Sequence, residues 1–170
     1  MTPRDLHSPP RLRVGLGRDL HRLAPGRPLI LGGVEIPFDQ GLLGHSDADV
    51  LTHAVCDALL GAAALGDIGT HFPDTDSRFA GVSSLELLDT VVDLIATNGY
   101  RVANVDCVVE AERPRVAPHV PEIVRRLAER LRVSVESVHV KGKTGEGVGP
   151  VGRGEAIAAS SVCLIEKLPP

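Results

Sequence analysis

Leu12-Arg13-Val14-Gly15-Leu16-Gly17-Arg18-Asp19-Leu20-His21 is the stretch on which the reading of this chain turns. Leu12, Val14 and Leu16 recur with period two, which marks an extended strand. The pattern predicts a first strand from Arg11 to Gly15 that ends at Gly17. Asp19 and His21 then fall at the strand end or in the following loop, where binding groups concentrate. Two residues apart on extended backbone, they point to the same side. The segment His45-Ser46-Asp47-Ala48-Asp49-Val50-Leu51-Thr52-His53 supplies a further histidine, His53, from what reads as a helix. Nitrogen and oxygen ligands from separate elements, with one coordination position left open, are what a catalytic zinc site uses. At this level His45 belongs to the same group of candidates.

Working outward, Asp47 to Leu65 is expected to be helical, N-capped by Ser46 and stopped by Gly66, with Val50, Ala54, Val55, Ala58 and Leu59 as its apolar stripe. Asp49, His53 and Asp57 stand at i, i+4 and i+8, so a carboxylate is expected to flank the imidazole on either side and fix its tautomer. Leu29-Ile30-Leu31 and Val34-Glu35-Ile36 enclose Gly32-Gly33, a two-residue hairpin signal. Asp67 to Phe79 is polar and turn-rich, and reads as a mobile lid or substrate loop. A second helix is expected from Ser84 to Asn98, with Ser83 and Glu86 as a capping box, and a third from Pro118 to Leu131. Strands are expected at Arg101 to Glu112, Ser137 to Lys141 and Ala156 to Glu166. The fold class is therefore α/β (an α+β sandwich), with a mixed four-stranded sheet, helices on one face and a small hairpin.

At 170 residues the chain is long enough for one domain with a real core, taken as residues 11–170 behind a disordered tail of residues 1–10. The tail lacks the apolar stretch of a secretory signal. Nothing approaches the roughly 18 apolar residues of a membrane span. Phe38, Phe72, Phe79 and Tyr100 are the whole aromatic set, too few for a base-stacking platform, and the net charge of −4 offers no footprint for duplex DNA. Cys56, Cys107 and Cys163 are odd in number and without paired spacing, which points to free buried thiols in a reducing cytoplasm.

Gly142-Lys143-Thr144 has the look of a P-loop, but Ser137 stands where that template needs a glycine. The glycine-rich run from Gly142 to Gly154 can still cradle phosphate through successive N–H groups. Glu146 beside such an anion calls for a cation between them, and Mg²⁺ takes one or two carboxylates plus phosphate oxygens.

The motifs together resemble one family. Gly15-Leu16-Gly17-Arg18-Asp19-Leu20-His21, Gly41-Leu42-Leu43-Gly44-His45-Ser46-Asp47, His53-Ala54, Gly61-Ala62-Ala63-Ala64-Leu65-Gly66-Asp67-Ile68-Gly69, Phe72-Pro73-Asp74-Thr75-Asp76 and Gly152-Arg153-Gly154-Glu155 follow in the order found in the 2-C-methyl-D-erythritol 2,4-cyclodiphosphate synthases of the non-mevalonate isoprenoid pathway. The resemblance runs from about Arg13 to Ile165. It implies a cytoplasmic homotrimer with active sites between subunits. By the same resemblance Asp19, His21 and His53 hold a divalent metal, usually zinc. His45 and Ser46 contact phosphate. Asp67, Gly69, Phe72, Asp74 and Asp76 line the methylerythritol end. Ala111, Pro114, Arg115 and Val116 hold the cytidine, and Lys143, Thr144, Glu146 and Arg153 the diphosphate, with Mg²⁺ or Mn²⁺ at Glu146. His45, Asp67, Thr144 and Glu146 carry the catalytic roles. The implied reaction closes 4-diphosphocytidyl-2-C-methyl-D-erythritol 2-phosphate into a cyclic diphosphate with loss of CMP. The chain departs from the pattern at Arg18, Lys143, Gly145 and Pro150. A zinc-dependent phosphohydrolase acting on a nucleotide diphosphate and a non-enzymatic trimeric binding module are the alternatives.

Overall fold

The computed structural model describes residues 10–169, so residues 1–9 of the expected tail lie outside it. Strand β1 (Leu12–Pro25) is longer than its apolar alternation suggested, and Gly17 does not end it. It is followed by β2 (Leu29–Leu31), β3 (Val34–Ile36), β4 (Gln40–Leu42) and helix α1 (Val50–Ala63). A single turn α2 (Ile68–His71), helix α3 (Ser84–Thr97), strand β5 (Tyr100–Glu110) and helix α4 (Val120–Leu131) come next. The chain closes with β6 (Val138–Lys143), the turn α5 (Gly149–Gly152) and β7 (Ala156–Lys167).

The main sheet has the order β4-β1-β7-β5-β6, five strands rather than the expected four. β1 runs antiparallel to β7 from Leu12 opposite Glu166 to Arg22 opposite Ala156. β5 is antiparallel to β7 and parallel to β6, which makes the sheet mixed. The additional strand, β4, is only Gln40-Gly41-Leu42 and too short to carry an alternation. β2 and β3 form the hairpin, with Gly32 and Gly33 at φ 57° and 72°, the left-handed pair that a tight primed turn requires.

Helices α1, α3 and α4 cover one face of the sheet. The continuity of β1 has a steric cause. A Cβ on Gly15 would lie 1.9 Å from the Ala58 carbonyl oxygen, and one on Gly17 2.0 Å from that of Ala54. Both positions must be glycine for α1 to rest directly on the strand. Gly15, Gly17, Asp19, His21 and Leu23 therefore face the helices, while Leu12, Val14 and Leu16 lie on the open face, 52%, 68% and 70% exposed.

Helix α1 is capped by Asp49 rather than Ser46. Asp49 has non-helical backbone (φ −70°, ψ 90°), and its side chain accepts from Thr52 N. The helix ends at Ala63, two residues short of Leu65, with Ala64 in the left-handed region as its cap, so Gly66 is not its stop. At α3, Ser83 makes no side-chain cap, and the expected capping box is absent. Asp47 supplies that cap from a distance, accepting from Ser84 N at 3.0 Å. Cys56, Cys107 and Cys163 are buried free thiols, as expected. Burial pushes the Cys107 and Cys163 thiols up to about 12 and about 11.

Gly17→Ala should force the helix off the strand and destabilise the fold by about 3 kcal/mol, the upper range for overpacking a filled contact. Denaturant unfolding measures this directly, and a variant as stable as the parent would contradict the contact.

Candidate active site

Asp19 and His21 sit on the helix-facing side of β1, and His53 reaches them from the first turn of α1. Asp19 Oδ2 lies 2.9 Å from His21 Nε2 and 3.0 Å from His53 Nδ1, and the two ring nitrogens are 3.1 Å apart. One ligand atom from each converges within 4.8 Å, all half-buried. Burial alone would raise the Asp19 carboxyl; hydrogen bonds to His21 and His53 and their positive charge outweigh it and hold it well below the carboxylate range. For His21 burial favours the neutral ring, but the bond to Asp19 and its charge carry the pKa above the usual value. A carboxylate and two imidazole nitrogens this close form an N/O donor set that fits a divalent cation and leaves room for a further ligand.

The carboxylates expected to flank His53 do other work. Asp49, fully buried, accepts from Gly32 N (2.9 Å), Gly33 N (2.7 Å), Thr52 N (3.1 Å) and Thr52 Oγ1 (2.7 Å). It ties the β2–β3 hairpin to α1. Asp57 accepts from Ile68 N at 2.8 Å. The groups that reach His53 Nε2 are the hydroxyls of Ser84 (2.9 Å) and Ser46 (3.1 Å).

Beside this triangle is a cavity of about 460 Å³, lined by His21, His45, Ser46, His53, Gly69, Phe72 and Asp74 among others. Arg27 holds its rim, donating to the carbonyls of Gly44 (3.2 Å) and Ser46 (3.1 Å) on either side of His45. Phe72 packs edge-on against Phe79 with ring centroids 5.3 Å apart. Asp67 and Asp76 are not among the lining residues. Asp67 caps α2 through Thr70, and Asp76 pairs with Arg78.

A second cavity, of about 150 Å³, gathers Ala111, Glu112, Pro114, Arg115, Val116, Lys143 and Thr144. Six of these seven were named from the sequence as the nucleotide end, although they come from two separate segments. Thr144 Oγ1 donates to Glu146 at 2.6 Å, and Gly145 N to Glu112 at 3.2 Å. Arg153 stands outside this cavity, paired with Glu155 at 2.7 Å. No lining residue is common to the two cavities.

Sequence reasoning missed Arg27, Asp47 and Ser84. Each acts across a gap of 17 residues or more, so no local spacing announces it.

The profile of the YgbB family matches residues 12–166. A 2-C-methyl-D-erythritol 2,4-cyclodiphosphate synthase of Synechococcus sp. (strain JA-2-3B'a(2-13)) is 58% identical over 154 residues, 91% of this chain and 98% of its own. One from Clostridium perfringens is 51% identical over 156 residues, 92% of this chain and all of its own. A solved 2C-methyl-D-erythritol-2,4-cyclodiphosphate synthase in a CDP-bound form superposes with a TM-score of 0.84 at 38% identity, covering 91% of this chain and 100% of that one. A CDP complex of IspF from Plasmodium falciparum gives 0.83 at 32% identity, covering 95% and 100%.

Zinc at a hundred times its Kd should stabilise the protein by about 2.7 kcal/mol if it binds only the folded form. Thermal unfolding with zinc and then with excess chelator reads this shift. It should vanish in His53→Ala; a shift that survives there would place zinc elsewhere.

Proposed function

This chain belongs to the YgbB family, the 2-C-methyl-D-erythritol 2,4-cyclodiphosphate synthases, and from that membership we propose how its own residues divide the reaction. The enzyme converts 4-diphosphocytidyl-2-C-methyl-D-erythritol 2-phosphate to 2-C-methyl-D-erythritol 2,4-cyclodiphosphate and CMP, a step of non-mevalonate isoprenoid biosynthesis. An oxygen of the 2-phosphate bonds to the β-phosphorus. The bond from that phosphorus to the bridging oxygen breaks, and CMP leaves with the electron pair. No water enters, so the activity is that of a phosphorus–oxygen lyase rather than a hydrolase.

The observation that carries the assignment of roles is the Asp19–His21–His53 triangle opening beside the cavity that holds His45, Gly69, Phe72 and Asp74. Phosphoryl transfer asks the protein mainly for positioning and for charge where charge develops. A divalent cation at Asp19, His21 and His53, taken as zinc, would supply charge neutralisation and polarisation of phosphate oxygens, and a second, magnesium or manganese, would be held at Glu146. His45, on the loop that Arg27 straps, lines the cavity and is assigned to the phosphate. Gly69, Phe72 and Asp74 bound the methylerythritol part, while Asp67 and Asp76 shape that loop through Thr70 and Arg78. Ala111, Pro114, Arg115 and Val116 receive the cytidine. Lys143 and Thr144 meet the diphosphate, where Lys143 brings a point charge in place of a hydroxyl. Arg153 is assigned the same phosphate, which requires it to share its guanidinium with Glu155.

Two features support the homotrimer proposed from the family resemblance. Leu12, Val14, Leu16, Leu20 and Val162 leave an apolar strip on the open sheet face, the kind of surface that another copy covers. The two cavities share no wall in one chain, so a neighbour's nucleotide end can complete the metal end. The buried free thiols suit the cytoplasm. Among the described residues no helix is long and apolar enough to cross a membrane.

Two measurements test the reading. Incubation with substrate and zinc should release CMP without inorganic phosphate, and Asp19→Asn should lose both zinc and turnover; phosphate release would point to hydrolysis instead. Leu16→Glu, on the open face and away from both cavities, should dissociate the assembly in sedimentation and silence CMP release together. A fully active monomer would show that each chain completes its own site.

A further inference from the structure

Ser84 and Asp47 lie outside the roles just assigned, yet both are wired to a metal ligand. One carboxylate oxygen of Asp47 accepts from the Ser84 hydroxyl, and the other accepts from Ser84 N at 3.0 Å. A carboxylate offers no proton, so the hydroxyl hydrogen of Ser84 is committed to Asp47. Ser84 Oγ is also 2.9 Å from His53 Nε2. With its own hydrogen spent, that oxygen can only accept there, and the hydrogen must belong to Nε2. Ser46 Oγ, 3.1 Å from the same nitrogen, already accepts from Ala48 N at 3.2 Å and faces Ser84 Oγ at 3.4 Å, so its own hydrogen has an outlet away from the ring. Ser84 is fully buried, where competing water is excluded and the order of donors is enforced.

We propose that the relay Asp47–Ser84–His53 keeps a proton of His53 on Nε2, so that when a cation replaces the proton between Nδ1 and Asp19, the Nδ1 lone pair is presented to the metal position, 3.0 Å from Asp19 Oδ2 and 3.1 Å from His21 Nε2. Asp47 and Ser84 are positioning residues. They act on the cation only through the imidazole, as partners behind a metal-bound histidine generally do. The carboxylate here is one serine further from the ring than in a direct carboxylate–histidine pair. The inference rests on Asp19, His21 and His53 being the metal site.

Asp47 also caps α3, so its loss alone would mix two effects. Ser84→Ala separates them, because it removes the hydroxyl and keeps the backbone bond to Asp47. In the full-length protein, zinc affinity measured by competition with a chromophoric chelator should fall about tenfold in Ser84→Ala, the lower end for such outer partners, with unfolding of the metal-free protein little changed. Asp47→Ala should lose both affinity and stability. The double variant should bind zinc no more weakly than the weaker single variant, because the two groups work in series. Nitrogen-15 spectra of the zinc-loaded parent should show Nδ1 of His53 coordinated and a protected Nε2–H proton, absent in Ser84→Ala. Coordination through Nε2 in the parent overturns the proposal without any variant. So does wild-type affinity in Ser84→Ala, or losses that multiply in the double variant. A parent that binds no zinc overturns the metal site itself, whereas tight zinc in both parent and Ser84→Ala overturns the relay alone.

Discussion

Everything at the metal end depends on a backbone-to-backbone contact between β1 and α1. Four residues of helix rise about 6 Å and two residues of strand about 6.6 Å. Gly15 under Ala58 and Gly17 under Ala54 therefore stay in step along the contact. Continuing along β1 brings Asp19 and then His21 to the first turn of α1, where His53 stands. The convergence of the three ligands is thus set by two missing side chains. Gly44 extends the same economy of space: a Cβ there would lie 3.2 Å from His21 Cε1 and 2.9 Å from the Ala48 Cβ.

Asp49 fixes the depth of that contact. Burial pushes its carboxyl up, and only the four donors from Thr52, Gly33 and Gly32 offset the penalty of placing it in the core. It can receive two of them because the hairpin turns through Gly32 and Gly33 with both N–H groups directed inward. Helix cap, hairpin and ligand-bearing turn become a single unit, and His53 cannot shift without breaking bonds to a buried charge.

Much of this was readable in the sequence, and the failures have separate physical causes. Asp19 and His21 follow from period two, the hairpin from Gly32-Gly33, and the metal set from adding His53. The nucleotide residues entered through family resemblance, and the structure does gather Ala111, Pro114, Arg115, Val116, Lys143 and Thr144 around one cavity. The open face was misleading in kind: Leu12, Val14 and Leu16 gave the strand its pattern, but the buried positions are the glycines between them. Of the acids expected to flank His53, Asp57 lies inside α1 but accepts from Ile68 N instead, and Asp49 failed because helical spacing was extended past the end of the helix. Asp49 has cap geometry, so it does not share the face of His53. Strand β4 was too short to declare itself. Ser84 and Asp47 are 37 residues apart and meet only when α3 docks on the loop before α1.

The placing of the metal triangle and the proposed nucleotide end beside different cavities gives the sheet's open face a consequence for chemistry. The metal triangle belongs to β1 and α1, while the residues proposed for the nucleotide belong to the ends of β5 and β6 and the turns beyond them. Within one chain these ends are locked by separate interactions, Asp49 on one side and Glu112 to Gly145 N on the other. Each lock is a carboxylate side chain accepting from backbone N–H groups. On the proposed assignment, a second chain offers the missing half to a substrate with a phosphate at one end and a cytidine at the other. The apolar strip of Leu12, Val14, Leu16 and Leu20 lies on the same strand as Asp19 and His21, on its opposite face. In the proposed trimer, packing against that strip and completion of the site are coupled through β1, and catalytic competence would follow assembly rather than folding alone.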